Sequence, residues 1–197
     1  MRDATRRMTA AAAALAIFVF VAPAAAVTRV SEYSPFNAVG DLRAGLHAVP
    51  AFGGSCRTGS FLAPADDAYR CFSGVVIRDP CFLDAKQGSS SRSVVVCVES
   101  PWSTNVVRLR VTGALSGARG AGPGEAPWGV RLASGRRCVR IAGATARVMG
   151  RRITYECSDH RWLLGAPNRV RPTWTIQQIR EPPDRRPGQV EIARAWK

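Results

Sequence analysis

The sequence predicts an all-β or mostly β fold, a small disulfide-stapled domain of short antiparallel strands arranged as one unit or as two lobes. Three observations carry this. Segments rich in Val, Ile and Thr recur at short intervals between Gly, Pro and Ser turns. After residue 26, no long apolar pattern of helical period appears. Six cysteines occur in a chain whose start reads as an export signal, and an even number in that setting is a disulfide framework.

The start, MRDATRRMTAAAAALAIFVFVAPAAAV, has basic residues Arg2, Arg6 and Arg7, an apolar run from Ala10 to Val21, then Pro23 and Ala24-Ala25-Ala26. That is the three-part layout of a cleavable signal peptide, residues 1–26, with the cut after Ala26. The apolar run is short of the ~20 residues a spanning helix needs, and a proline closes it. Thr9 and Ala10 follow the arginine pair where a twin-arginine signal carries bulky apolar residues, so the general secretory route is expected. No cysteine near the cut offers a lipid attachment point. The expected product is secreted, extracellular or cell-wall associated, without a stable membrane span.

Removal of the signal leaves 171 residues, enough for one domain with a sizeable core or two small stapled lobes. Residues 27–49 show scattered apolar positions without a period and read as an extended lead-in. Residues 50–113 form the first disulfide-stapled β lobe, with strands expected at 93–99 (SVVVCVE) and 105–111 (NVVRLRV). One short helical turn is expected near 63–72, where Asp66 offers a cap. Residues 114–127, with four glycines and two prolines, read as a Gly/Pro-rich connection. Residues 128–197 form a second, basic β lobe with strands at 128–133, 152–157, 173–179 and 189–196, the last preceded by a loop at 181–188.

Cys56, Cys71, Cys81, Cys97, Cys138 and Cys157 allow 15 disulfide pairings. Local pairing, 56 with 71, 81 with 97 and 138 with 157, is favoured because each bridge then closes a loop inside one local unit. A metal is not expected. There is no C-x-x-C pair, and His47 and His160 stand at no ligand spacing. The sequence calls for no cofactor either.

Charge is uneven. Residues 27–127 hold ten basic and eight acidic side chains, whereas 128–197 hold fifteen and five, together with four of the five tryptophans. In the stretch Pro127–Asp159, alternation puts Trp128, Val130 and Leu132 on one face. After a turn at Ser134-Gly135, Arg137, Val139 and Ile141 share one face and Arg136, Cys138 and Arg140 the other. A second tight turn at Met149-Gly150 leads to Ile153, Tyr155 and Cys157, alternating with Arg152, Thr154 and Glu156. The stretch therefore reads as a stapled β-meander with an arginine-rich side, and Arg136, Arg140 and Arg152 are its candidate binding residues. The tryptophans are expected in the core. Tyr-x-Cys recurs at Tyr69–Cys71 and Tyr155–Cys157, an echo small enough for chance to match duplication as its cause.

The phrases SCRTGS, DAYRCFSG, IRDPCF, VVVC, PWGVRLASGRRC, ITYECSD, RWLLGAPNR, TWTI and IARAW, spanning about 55–196, resemble a group of uncharacterised secreted proteins of actinobacteria. The resemblance implies an exported, disulfide-bonded protein and supplies no catalytic residues.

Nucleophile and metalloprotease motifs are absent: there is no G-x-S-x-G and no H-E-x-x-H. A carboxylate pair for glycan hydrolysis is available among Asp79, Asp84 and Glu99, and His160 stands beside Asp159. Both read more simply as solvated or salt-bridged surface groups. The expectation is a non-enzymatic module that binds an anionic envelope polymer, a glycan or an acidic lipid through arginine forks. Nucleic acid is not an expected partner in that compartment. The competing expectations are a structural or protein-interaction domain of the envelope and an envelope glycan hydrolase.

Overall fold

The computed structural model describes residues 27–63, 65–84, 86, 93–116, 126–180 and 186–197. The expected signal segment, most of the expected Gly/Pro-rich connection and the first part of the expected 181–188 loop lie outside them. The fold is all-β. Its strands are β1 (Arg29–Ser31), β2 (His47–Gly59), β3 (Ala68–Ser73), β4 (Val76–Leu83), β5 (Val94–Cys97), β6 (Asn105–Val111), β7 (Gly129–Leu132), β8 (Arg137–Arg140), β9 (Arg147–Val148), β10 (Arg151–Cys157), β11 (Trp162–Asn168), β12 (Trp174–Ile179) and β13 (Gly188–Trp196).

Strands β2 to β6 close a five-stranded barrel in chain order, antiparallel except where β2 meets β6 in parallel. In the second barrel β7, β8, β10, β11, β12 and β13 follow one another, and β13 returns to β7. The alternation of β6 gives Val107, Leu109 and Val111 to the first interior, while Val106, Arg108 and Arg110 lie on the other face, Val106 buried against the second barrel and the two arginines exposed. In β10, Ile153, Tyr155 and Cys157 are buried.

All three disulfides join 56 to 71, 81 to 97 and 138 to 157. Each links residues directly opposite on neighbouring antiparallel strands. The staples therefore lie within the barrels and none crosses between them. The tight turn at Met149-Gly150 also forms, with both residues at positive φ (51° and 75°), the conformation that suits a two-residue hairpin.

Two expectations are corrected. The segment 63–72 is no helical turn: residues 68–73 are β3, bonded on both sides by β2 and β4, so ladder pairing outweighs the cap that Asp66 offers. Nor is 27–49 merely a lead-in. Its β1 pairs in parallel with β13, and β2 begins inside it at His47. The N-terminal segment thus completes the second barrel's edge before the chain builds the first.

The barrels meet through an apolar cluster. Tyr33, Leu62, Ala63, Phe82, Val96 and Val106 pack with Trp128, which is fully buried, and Val139 and Trp196 pack against the cluster. Trp102 and Trp196 meet edge to face at 5.7 Å. Approach is close enough that a Cβ on Gly129 would stand 2.7 Å from Pro101 Cγ, so only glycine fits there. Of the expected core tryptophans Trp128 is fully enclosed, whereas Trp162, Trp174 and Trp196 are half-buried.

Candidate functional site: an arginine cleft between the barrels

A cleft of about 730 Å³ opens where the barrels face one another. Its wall is built by both: Ser60, Phe61 and Arg70 from the first barrel, Arg140, Arg152 and Thr154 from the second. No carboxylate lines it among the described residues.

The first wall is organised by Asp79 on β4. Its side chain is fully buried and accepts hydrogen bonds from Ser60 Oγ at 2.5 Å and the Phe61 amide at 3.2 Å. Ser60 Oγ in turn accepts from the amides of Leu62 and Ala63, at 3.1 and 2.9 Å, which fixes the turn that leaves β2. Arg70 Nη1 lies 3.6 Å from the same carboxylate, and its guanidinium stands 4.9 Å from the Phe61 ring centroid. Burial holds the Asp79 carboxyl above the ordinary carboxylate range, against the opposing influence of Ser60, the Phe61 amide and Arg70.

On the second wall, Arg152 Nε donates to Thr145 Oγ1 at 2.8 Å and Nη2 to the Gly143 carbonyl, so the loop after β8 holds this guanidinium in place. Thr154 sits at an irregularity in the β10–β11 ladder, where Ile153 pairs Leu164 but Tyr155 pairs Leu163. Such a bulge re-aims a side chain. Arg140 ends β8 opposite Tyr155, whose hydroxyl donates to the Pro127 carbonyl at 2.7 Å, and burial pushes the Tyr155 phenol up. Arg140 Nη1 is buried and has no hydrogen-bond partner among the described residues. A guanidinium donor in that position leaves a hydrogen bond open to water or to a bound group.

The three arginines singled out in the sequence do not form one face. The Arg136–Cys138–Arg140 side of β8 turns inward, as fully buried Cys138 shows, and Arg152 lies on the outward side of β10. Arg140 and Arg152 still converge, because both sit at the mouth of the cleft. Arg136 stands at the other end of β8. Its Nε is 2.7 Å from Asp159 Oδ2, and Arg161 shares that carboxylate at 3.1 Å. On the other face Arg137 is exposed, its guanidinium 5.8 Å from the Trp102 ring, while Val139 joins the joint between the barrels. Arg70 was not among the candidates. It lies in the segment read as a helical turn, and nothing local marks it as facing Arg140.

The acidic candidates are dispersed. Asp84 is buried and pairs with Arg108 at 3.6 Å. Asp79 and Glu99 do line a smaller cavity of about 240 Å³, but both Asp79 oxygens are already engaged. His160 is exposed on a turn, 4.0 Å from Glu156, away from the cleft. The sulfurs of Cys71, Cys81 and Cys97 cluster within 4.8 Å, but each is tied in a disulfide and has no thiolate to offer a metal. No family model, curated protein or solved structure matches the chain.

Proposed function

We propose that this protein is an exported, non-enzymatic binding module whose inter-barrel cleft holds an anionic component of the cell envelope, bearing phosphate or carboxylate groups. The observation that carries the reading is the convergence of Arg70, Arg140 and Arg152 on one cleft without a carboxylate among its described lining. Guanidinium forks match such anions in shape and charge. Arg70 and Arg152 are held by neighbours, so little side-chain freedom remains to be lost on binding.

Three disulfides and no free cysteine fit an oxidising compartment, and among the described residues no helix is long and apolar enough to cross a membrane. Export supplies the setting. Intact-mass measurement on protein from culture medium should give a chain beginning at Val27.

Titration calorimetry with a glycerol-phosphate polymer tests the cleft. Binding should weaken with salt, since exposed charges are screened over about 8 to 10 Å. Arg140→Ser should reduce affinity about tenfold, roughly 1.4 kcal/mol, while Arg136→Ser should leave it unchanged. Equal loss from both substitutions would show diffuse charge attraction and remove the cleft's role.

A further inference from the structure

The hairpin of β3 and β4 ends in apolar residues that the fold does not cover. Gly74 and Val75 form its two-residue turn, Gly74 supplying the positive φ of 60°, and Val75 is 99% exposed. Behind it, Phe72 faces Ile77 across the ladder and Ser73 faces Val76, and all three apolar members are exposed. The β2–β6 register slips between Ala51 and Gly54. Because Gly54 pairs with Ser73, Phe52 comes to the same end of the barrel, 68% exposed. Two-residue turns in water usually carry Asn, Asp or Gly. A valine at the apex with Phe52 and Phe72 beside it is a contiguous apolar patch of the kind that marks an interaction surface.

Arginines surround this tip. Arg110 lies 5.6 Å from the Phe52 ring and Arg70 lies 5.9 Å from Phe72. Arg57 and Arg78 stand further along the same strands. Residues 47–59, 68–78 and 105–113, which build this end, contain no acidic side chain. A convex apolar tip inside a collar of cations, where the one carboxylate beside Arg70, Asp79, is fully buried, complements the interface of an anionic bilayer. Apolar residues there enter the boundary between headgroups and acyl chains while arginines meet the phosphates.

We infer that the β3–β4 hairpin, together with Phe52, docks the protein onto an anionic lipid surface, with Val75 at the point of insertion. Neither Val75 nor Phe52 lines the arginine cleft, so this docking is separable from ligand binding there.

The oxidised protein beginning at Val27 is sedimented with phosphatidylglycerol or phosphatidylcholine vesicles at about 0.15 M salt, where screening is physiological. The parent should pellet with the first and stay in solution with the second. The doubly substituted Phe52→Ser, Val75→Ser chain, whose charge is unchanged, should partition at least tenfold less. Arg140→Ser should still pellet with the anionic vesicles. Val75→Trp should gain a blue-shifted emission with phosphatidylglycerol alone, which keeps the inference testable should the double variant misfold. Three results would overturn it: no enrichment of the parent on anionic vesicles, equal pelleting by the double variant, or a vesicle-free dimer that the double substitution dissolves. The last would make the tip a self-association surface.

Discussion

Tyr33 and Trp128 meet edge to face, 5.0 Å between ring centroids, at the joint where the two barrels and the N-terminal segment come together. Phe82 of the first barrel lies 5.7 Å from Tyr33 and 6.4 Å from Trp128, so one ring from each part of the chain forms the contact. Tyr33 is also tied through its amide to the Lys197 carbonyl at 2.9 Å. Tyr33→Ala should therefore weaken the joint more than either barrel. A loss of about 3 to 5 kcal/mol is expected, by analogy with large aromatic truncations. Denaturant unfolding should report it, with two separated transitions appearing if the barrels uncouple.

The bridge between Cys138 and Cys157 fastens β8 to β10, the strand pair that carries Arg140 and Arg152. Cys138→Ala should leave one titratable thiol, on Cys157, and cost about 2 to 5 kcal/mol. Affinity at the cleft should fall with it. Thiol titration after denaturation counts the free cysteine, and thermal melting gives the loss.

Met149 holds a left-handed backbone, φ 51°, in the turn between β9 and β10. A side chain without branching tolerates this at a cost that glycine or asparagine avoids. Met149→Gly should stabilise the protein slightly or leave it unchanged, because relief of strain is opposed by greater freedom in the unfolded chain. Met149→Asn should gain about 0.5 to 1 kcal/mol, a fraction of the left-handed penalty. The side chain is exposed, so no packing is lost. Comparative thermal melts of the two variants decide it.

Asp79 provides a pH signature. Its folded-state carboxyl titrates above the unfolded one because burial disfavours the charge. Its contribution to stability is therefore fully present below the unfolded pKa and is lost as pH rises through the folded pKa. The melting temperature of the parent minus that of Asp79→Asn, measured between about pH 4 and 7, should decrease as pH rises. The same substitution should also loosen the Ser60–Phe61 turn, visible as weaker ligand binding at constant pH. A parent that gains on the variant towards pH 7 would contradict the direction of the shift.

The sequence was most informative where a strand alternates cleanly. β6 matches residues 105–111 because Val107, Leu109 and Val111 face one interior between outward arginines, and β10, β12 and β13 fall within a residue of their expected bounds. Strands with glycine or proline in their interior were hidden. β2 carries Pro50, Gly53 and Gly54, β4 carries Pro80, and β11 carries Gly165 and Pro167. Bulges and edges accommodate these residues only once neighbouring strands are in place. The local pairing of the cysteines was legible because hairpin partners are close in sequence. The cleft was not: Arg70 and Arg140 belong to different barrels, and only the packing of Trp128 against Tyr33 and Phe82 sets them face to face. A run of arginines in one half drew attention to Arg136, whose charge is taken up by Asp159.

Because β13 supplies partners to β12, β7 and β1 together, the order in which a ribosome delivers the chain has consequences. All strands of the first barrel are present once Val111 has emerged, so that barrel can close before the second is complete. β1 must wait much longer: Ser31 meets Arg194 across a separation of 163 residues. Until then its backbone groups, the rim of β7 and the ring of Trp128 stay open to proteases and to chaperones. β13 is thus the last of the described strands to join the second barrel, and a chain interrupted before it would carry a finished first barrel attached to an open, degradable remainder.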